Sequence, residues 1–347
     1  MPFVNDMLAE RAAQAPPITT PSRFLFEPDA VMTRLRANIV GQHTALDCIA
    51  NALRVVKADI GEPRRPRYVA LLLGPTGVGK TETVRLLAEV IHGNADHLCR
   101  IDMNTLSQDH YSAALTGAPP GYVGSREGTT LFDEEKIRGS FSRPGIVLFD
   151  EVEKASQEVL RALLGVFDNG RLTLTSGAKT LDFRNSLVFM TSNLGADAIQ
   201  RYEHSRRHGW RRYRPTSEAD RNRHYQRLLD GAVEKHFDPE FINRIDRIVH
   251  YRALDRDQSR ALVDRELEKL NQRLRARGCV LELNDDSYVL LQRCGWDHRF
   301  GARAMARAFR HEVEAGLADC LIALPPAFTE HRIGATVRDN KLQFRIL

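Results

Sequence analysis

Apolar positions along this chain keep two rhythms. Short unbroken runs at 68–73 and 146–149, and the stretch SLVFMTSN at 186–193, suit strands buried on both faces of a parallel sheet. After the first run, Val84, Leu87, Ala88 and Ile91 recur at i, i+3, i+4 and i+7, the spacing of one helix face, and Gly93 ends that helix. A second helical pattern lies in SQEVLRALLGVF at 156–167. Further on, DRDQSRALVDRELEKLNQRLRAR (255–277) predicts a long amphipathic helix with an Asp near its N-cap. CVLEL (279–283) predicts a strand, ARAMARAFRHEVEAGLADCLIAL (302–324) another helix, and IGATVRD with LQFRIL a terminal hairpin. At the start, AQAPPITTPSRF (13–24) reads as an extended linker and EPDAVMTRLRANIV (27–40) as a short helix. The pattern predicts a lead-in over 1–37, a large α/β domain with a parallel sheet over 38–252, and a small helix-rich domain over 253–347.

The chemistry sits where strands end. Gly74-Pro75-Thr76-Gly77-Val78-Gly79-Lys80-Thr81 is a full G-x-x-x-x-G-K-[ST] match between the first strand and its helix. Glycines let backbone N–H groups turn in around an anion, and the helix N-terminus adds positive potential. Lys80 would reach the β- and γ-phosphates of ATP, and the Thr81 hydroxyl would bind Mg²⁺. The strand at 146–149 ends in Asp150-Glu151. A carboxylate at that strand tip faces the same sheet edge as the glycine loop. Asp150 would hold Mg²⁺, directly or through water, and Glu151 would polarise an attacking water. A phosphotransferase would not need the second carboxylate, so the pair favours a hydrolase. Asn193 closes the third strand; its amide could share the water with Glu151, or simply end the strand in a turn.

Composition adds boundaries. The formal charge of +5 allows a nucleic-acid or acidic partner without requiring one. No apolar run approaches the ~20 residues that span a bilayer, and the first residues lack the apolar stretch of a secretory signal. Cys48, Cys99, Cys279, Cys294 and Cys320 are scattered without metal spacing and read as reduced, mostly buried thiols of a cytoplasmic protein. One segment is unusual: RYEHSRRHGWRRYRPTSEADRNRHYQR at 201–227 sets nine arginines against three acids, with Tyr202, Trp210, Tyr213 and Tyr225 interleaved. This is the composition of a solvated surface insertion, or of a patch for an acidic protein or nucleic acid.

GAPPGYVG (117–124) reads as a loop holding an aromatic away from the surface. With GPTGVGKTE, DEVEKA, GRLT, DFRNSLVFMTSNLG, DPEFINRID and FGARAMARA in order, it makes the chain from about residue 39 onward resemble the AAA+ ATPases of the Clp family, in particular the second ATPase module of ClpB- and ClpA-type machines. The resemblance implies further roles. Ile39 and Val40 would pack near the adenine, and Pro75, Thr76 and Val78 would line the phosphate loop. Asn193 would sense the γ-phosphate. Arg244 would be an arginine finger reaching a neighbouring subunit, and Arg303 a second sensor on the small domain; without the resemblance both read as surface salt-bridge arginines. Tyr122, followed by Val123, would grip a polypeptide in the pore of a homohexamer, because an aromatic holds any extended chain without reading its sequence. The stretch LTLTSGAKTL near 172–181 falls at the second pore loop but lacks an aromatic. The Ile-Gly-Phe or Ile-Gly-Leu tripeptide that docks Clp ATPases on a peptidase is missing, so no peptidase partner is expected; an adaptor protein is a possible partner. The resemblance thus implies a protein-remodelling ATPase. An ATP-controlled assembly switch and a nucleic-acid-stimulated ATPase are the competing readings.

Overall fold

In the computed structural model, residues 22–107, 131–173, 180–208, 218–297, 300–323 and 331–347 are described. In chain order the elements are α1 (Pro28–Asn38), α2 (His43–Lys57), β1 (Tyr68–Leu73), α3 (Lys80–His92), β2 (Cys99–Asp102), α4 (Glu134–Arg138), β3 (Gly145–Asp150) and α5 (Gln157–Asn169). Then come β4 (Arg171–Thr173), β5 (Thr180–Asp182), β6 (Ser186–Ser192), α6 (Ala196–His208), α7 (Glu218–His236), α8 (Pro239–Asn243) and β7 (Arg247–His250). The C-terminal part holds α9 (Ser259–Arg275), β8 (Cys279–Leu283), α10 (Asp285–Gly295), α11 (Gly301–Phe309), α12 (Ala315–Ile322), β9 (His331–Arg338) and β10 (Lys341–Ile346).

The three apolar runs become three central strands of a five-stranded parallel sheet in the order β2-β3-β6-β1-β7. β3 and β6 are buried along their whole length, as unbroken apolar runs require. Helices cover both faces, with one apolar core behind each. Each fully buried Leu or Phe there, Leu71 and Phe189 among them, contributes roughly 1.5–3 kcal/mol. The first core does not stop at the sheet. It runs through Tyr251 and Leu254 into Leu262, Met305 and Phe309, so the C-terminal helices share apolar packing with the large sheet.

The C-terminal part is a three-stranded sheet, β10-β9-β8, with helices packed on it. The capping box at Asp255 and Gln258 opens the turn that leads into α9. The helix expected over 302–324 is interrupted by a π-helical turn at Arg310–Glu314 between α11 and α12. Helix α10 was not anticipated from the pattern; it is capped by the Asn284 side chain accepting from the Ser287 N–H.

One expectation is corrected. Only Cys99 and Cys279 are buried; Cys48 and Cys320 are half-buried and Cys294 is exposed, so the thiols as a group are not core residues. The described parts of the Arg-aromatic segment, 201–208 and 218–227, are helical and lie in α6 and α7. Tyr202 packs its ring 4.2 Å from His224 and edge-on against Tyr225 at 5.9 Å. Two of its four aromatics therefore take part in helix–helix packing. Trp210 and Tyr213 lie outside the described residues, as do Tyr122, Val123 and the centre of the second pore-loop stretch. Among the described residues no helix is long and apolar enough to cross a membrane.

Candidate active site

The tips of β1, β3 and β6 open onto one cleft of about 320 Å³, floored by the glycine loop and roofed by α9 and α11. The loop owes its shape to glycine. Gly74 has φ 151° and Gly77 φ 76°. A Cβ on Gly74 would come within 2.4 Å of the Tyr251 carbonyl oxygen, and one on Gly77 within 2.1 Å of the Phe300 carbonyl oxygen. Both positions exclude any side chain, by backbone conformation and by contact. The second contact crosses to the small domain, where the Ala302 N–H donates to the Gly77 carbonyl at 3.0 Å.

Lys80 begins α3 and is almost fully buried. Its ammonium donates to Gly74 O at 2.6 Å, Pro75 O at 2.8 Å and Asn193 Oδ1 at 2.7 Å, so all three donors are used. Burial pulls its pKa down to about 7; Glu153, and after it Asp150 and Glu151, oppose that shift, while Arg303 adds to it. Thr81, the next residue, donates to Asp150 Oδ1 at 3.2 Å. A hydroxyl and a buried carboxylate brought together at the loop are the hard oxygen donors Mg²⁺ selects, so these residues fit the ion.

Asp150 is held from three sides. Besides Thr81, the Thr191 hydroxyl donates to its Oδ1, and Arg100 from β2 donates to Oδ2 at 2.6 Å. Glu151 follows in the left-handed region at φ 58°, where a non-glycine residue is strained, and its N–H donates to Thr191 Oγ1 at 3.0 Å. Its carboxylate lines the cleft and makes no hydrogen bond among the described residues. Asn193, one residue past β6, donates its N–H to Glu153 Oε1 at 3.0 Å.

The other sequence candidates fall as follows. Ile39 is buried beside the loop: a Cβ on Gly79 would stand 3.4 Å from Ile39 Cδ1. Val40 is half-buried against the same core. Thr76 lines the cleft, and Val78 is buried beneath it. Arg303 reaches the cleft from α11. Arg244 lies outside it, just beyond α8, with Nε 2.9 Å from Asp168 Oδ1. Sequence reasoning missed Arg100, Thr191, Glu153 and Arg265. The last is a mostly buried arginine of α9, in the small C-terminal domain that forms the lid of the cleft, and it pairs with Glu82 of α3 at 2.8 Å. Strand and helix neighbourhoods bring Arg100 and Arg265 to the site, whereas Thr191 and Glu153 stand two residues from Asn193 and Glu151.

Residues 65–248 match the family described as AAA domain (Cdc48 subfamily), and residues 254–325 match the C-terminal, D2-small domain, of ClpB protein. An "ATP-dependent protease ATP-binding subunit-like protein AmiB" of Pseudomonas aeruginosa is 52% identical over 301 residues, covering 87% of this chain and 81% of that protein. An "ATP-dependent protease ATP-binding subunit-like protein" of Rhodococcus erythropolis is 43% identical over 95% of both chains. Chaperone protein ClpB of Dichelobacter nodosus is 40% identical over 84% of this chain, which spans 32% of that longer protein. The chain belongs to the AAA+ ATPases of the Clp family, is built like the second ATPase module of ClpB, and hydrolyses ATP.

Proposed function

We propose that this ATPase is the motor of a protein-remodelling homohexamer that threads polypeptide past Tyr122 and Val123. The observation that carries this reading is the backbone contact between Gly77 of the phosphate loop and Ala302, one residue before Arg303. A loop that cradles phosphates and touches the lid directly can turn nucleotide state into lid movement, and lid movement into work on a substrate. The chaperone name of the ClpB relatives supports a polypeptide substrate.

In the cleft, the glycine-loop N–H groups and Lys80 bind the phosphates. Ile39 and Val40 hold the adenine. Thr81 and Asp150 hold Mg²⁺, which when bound neutralises phosphate charge. Glu151 takes a proton from the attacking water, and Asn193 orients that water and the γ-phosphate. Arg303 stabilises charge on the transferring phosphoryl group. Arg244, outside its own cleft, serves the neighbouring subunit. The protease-related names of two relatives do not bring a peptidase with them here, because the docking tripeptide is absent from the sequence.

Tyr122→Ala tests threading. The variant should keep basal ATP turnover within about twofold and lose unfolding of a fluorescent model substrate. Retained unfolding would leave the assembly-switch reading standing. For Arg244→Ala, turnover alone should fall by about 10³-fold or more, as for arginine fingers generally. Mixing it with Lys80→Ala should restore part of the activity, since each supplies the group the other lacks. Mixed rings no more active than the separate variants would show that Arg244 does not act across subunits.

A further inference from the structure

Glu153 lies on the short turn Val152–Lys154 that follows β3, and the functional reading above leaves it without a role. Its Oε1 accepts the Asn193 N–H at 3.0 Å. That N–H lies beyond the sheet ladder. The β3–β6 pairing ends at Phe149 and Met190, and the β1–β6 pairing ends at Leu73 and Ser192. Asn193 is thus gripped at two points: its main chain by Glu153 and its side-chain oxygen by Lys80.

A plain tie between strand tips does not account for this carboxylate. The tips are already laced, since Thr191 accepts the Glu151 N–H and donates to Asp150. Among the described residues the second oxygen, Oε2, is buried with no hydrogen-bond partner. A buried carboxylate oxygen in that state is costly unless a positive charge stands near. Lys80 supplies one through a shared neighbour: its ammonium donates to the side chain of Asn193, the residue whose main chain Glu153 holds.

We infer that Glu153 is a positioning residue for ATP hydrolysis: one oxygen holds the Asn193 main chain so that its amide meets the γ-phosphate, and the negative charge holds Lys80 ready for phosphate. The inference rests on the reading of Asn193 as the γ-phosphate contact. It assigns two separable effects to two properties of one side chain. Hydrogen-bond reach governs kcat, and charge governs the KM for ATP.

Three variants of the full chain separate them. Glu153→Ala loses both and should show kcat reduced about tenfold or more and KM raised severalfold. Glu153→Gln keeps an acceptor at the same reach; kcat should stay within about threefold of the parent, with the same rise in KM. Glu153→Asp keeps the charge but falls one methylene short, and should show near-parent KM with kcat lowered as in Glu153→Ala. Amide hydrogen exchange of the nucleotide-free proteins gives a readout independent of turnover: the Asn193 amide should exchange faster in Glu153→Ala and Glu153→Asp but not in Glu153→Gln. Adding Glu153→Ala to Asn193→Ala should lower kcat no further. Multiplying effects, or unchanged Asn193 exchange in Glu153→Ala, would overturn the inference. A slow Asn193→Ala beside a normal Glu153→Ala would overturn it alone. An Asn193→Ala variant with parent kcat would overturn the reading of Asn193 and this inference together.

Discussion

Glu151→Gln is expected to bind ATP as the parent does and to turn it over about 10²–10⁴-fold more slowly, the usual contribution of a positioned general base. The side chains are isosteric, so the cleft keeps its shape and the strand tip its path. What disappears is the ability to take a proton. The geometry argues for Glu151 over its neighbour. Asp150 already receives bonds from Thr81, Thr191 and Arg100, whereas among the described residues the Glu151 carboxylate has no such bond, and it faces the cleft. Its backbone sits at φ 58°, a conformation costing of order 1 kcal/mol that persists only where surroundings impose it. Here the Thr191 hydroxyl helps impose it by accepting the Glu151 N–H. Single-turnover hydrolysis with a fluorescent nucleotide titration checks the prediction. Turnover within a few-fold of the parent would remove Glu151 as the base.

The second large effect is on binding. Lys80→Ala should weaken ATP affinity by about two to three orders of magnitude, the range for truncating one partner of a buried charged pair. It should also destabilise the nucleotide-free protein by about 1–3 kcal/mol, because the carbonyl oxygens of Gly74 and Pro75 and the Asn193 amide oxygen lose their donor inside a buried site. The same ammonium gives the parent protein a pH signature. Burial lowers its pKa to about 7 in the free protein, and bound phosphates favour the charged form. Binding above pH 7 therefore takes up a proton, and affinity should fall as pH rises from 7, by up to tenfold per unit. Isothermal titration in buffers of different ionisation enthalpy measures that uptake. A flat affinity between pH 7 and 8.5 in the parent would contradict it.

Much of this site was legible before any fold was known, because its parts are local. The glycine loop announces itself by spacing, since only glycine can occupy φ 76° against the Phe300 carbonyl. Asp150 and Glu151 were readable because a polar pair ending a buried strand must emerge at the sheet edge. The Arg-aromatic segment misled for the opposite reason. Composition counts Tyr202 and Tyr225 as available aromatics, and only helix pairing reveals that they face each other. The helix α10 escaped because its apolar residues, Tyr288 to Leu291, run together instead of recurring at helical spacing, although Gly295 stands at its end.

The sequence alone determined the local pattern: a glycine turn ending in Lys80-Thr81 and a strand ending in two carboxylates, each defined by neighbours a few residues away. Tertiary structure decided who assists them. Arg100 meets Asp150 because β2 lies beside β3, Glu153 meets Asn193 because β3 lies beside β6, and Arg265 meets Glu82 because the lid folds over α3. Such pairs join residues 40 to 183 positions apart. Strand order and lid packing are set by burial summed over the whole core, and no local spacing records them.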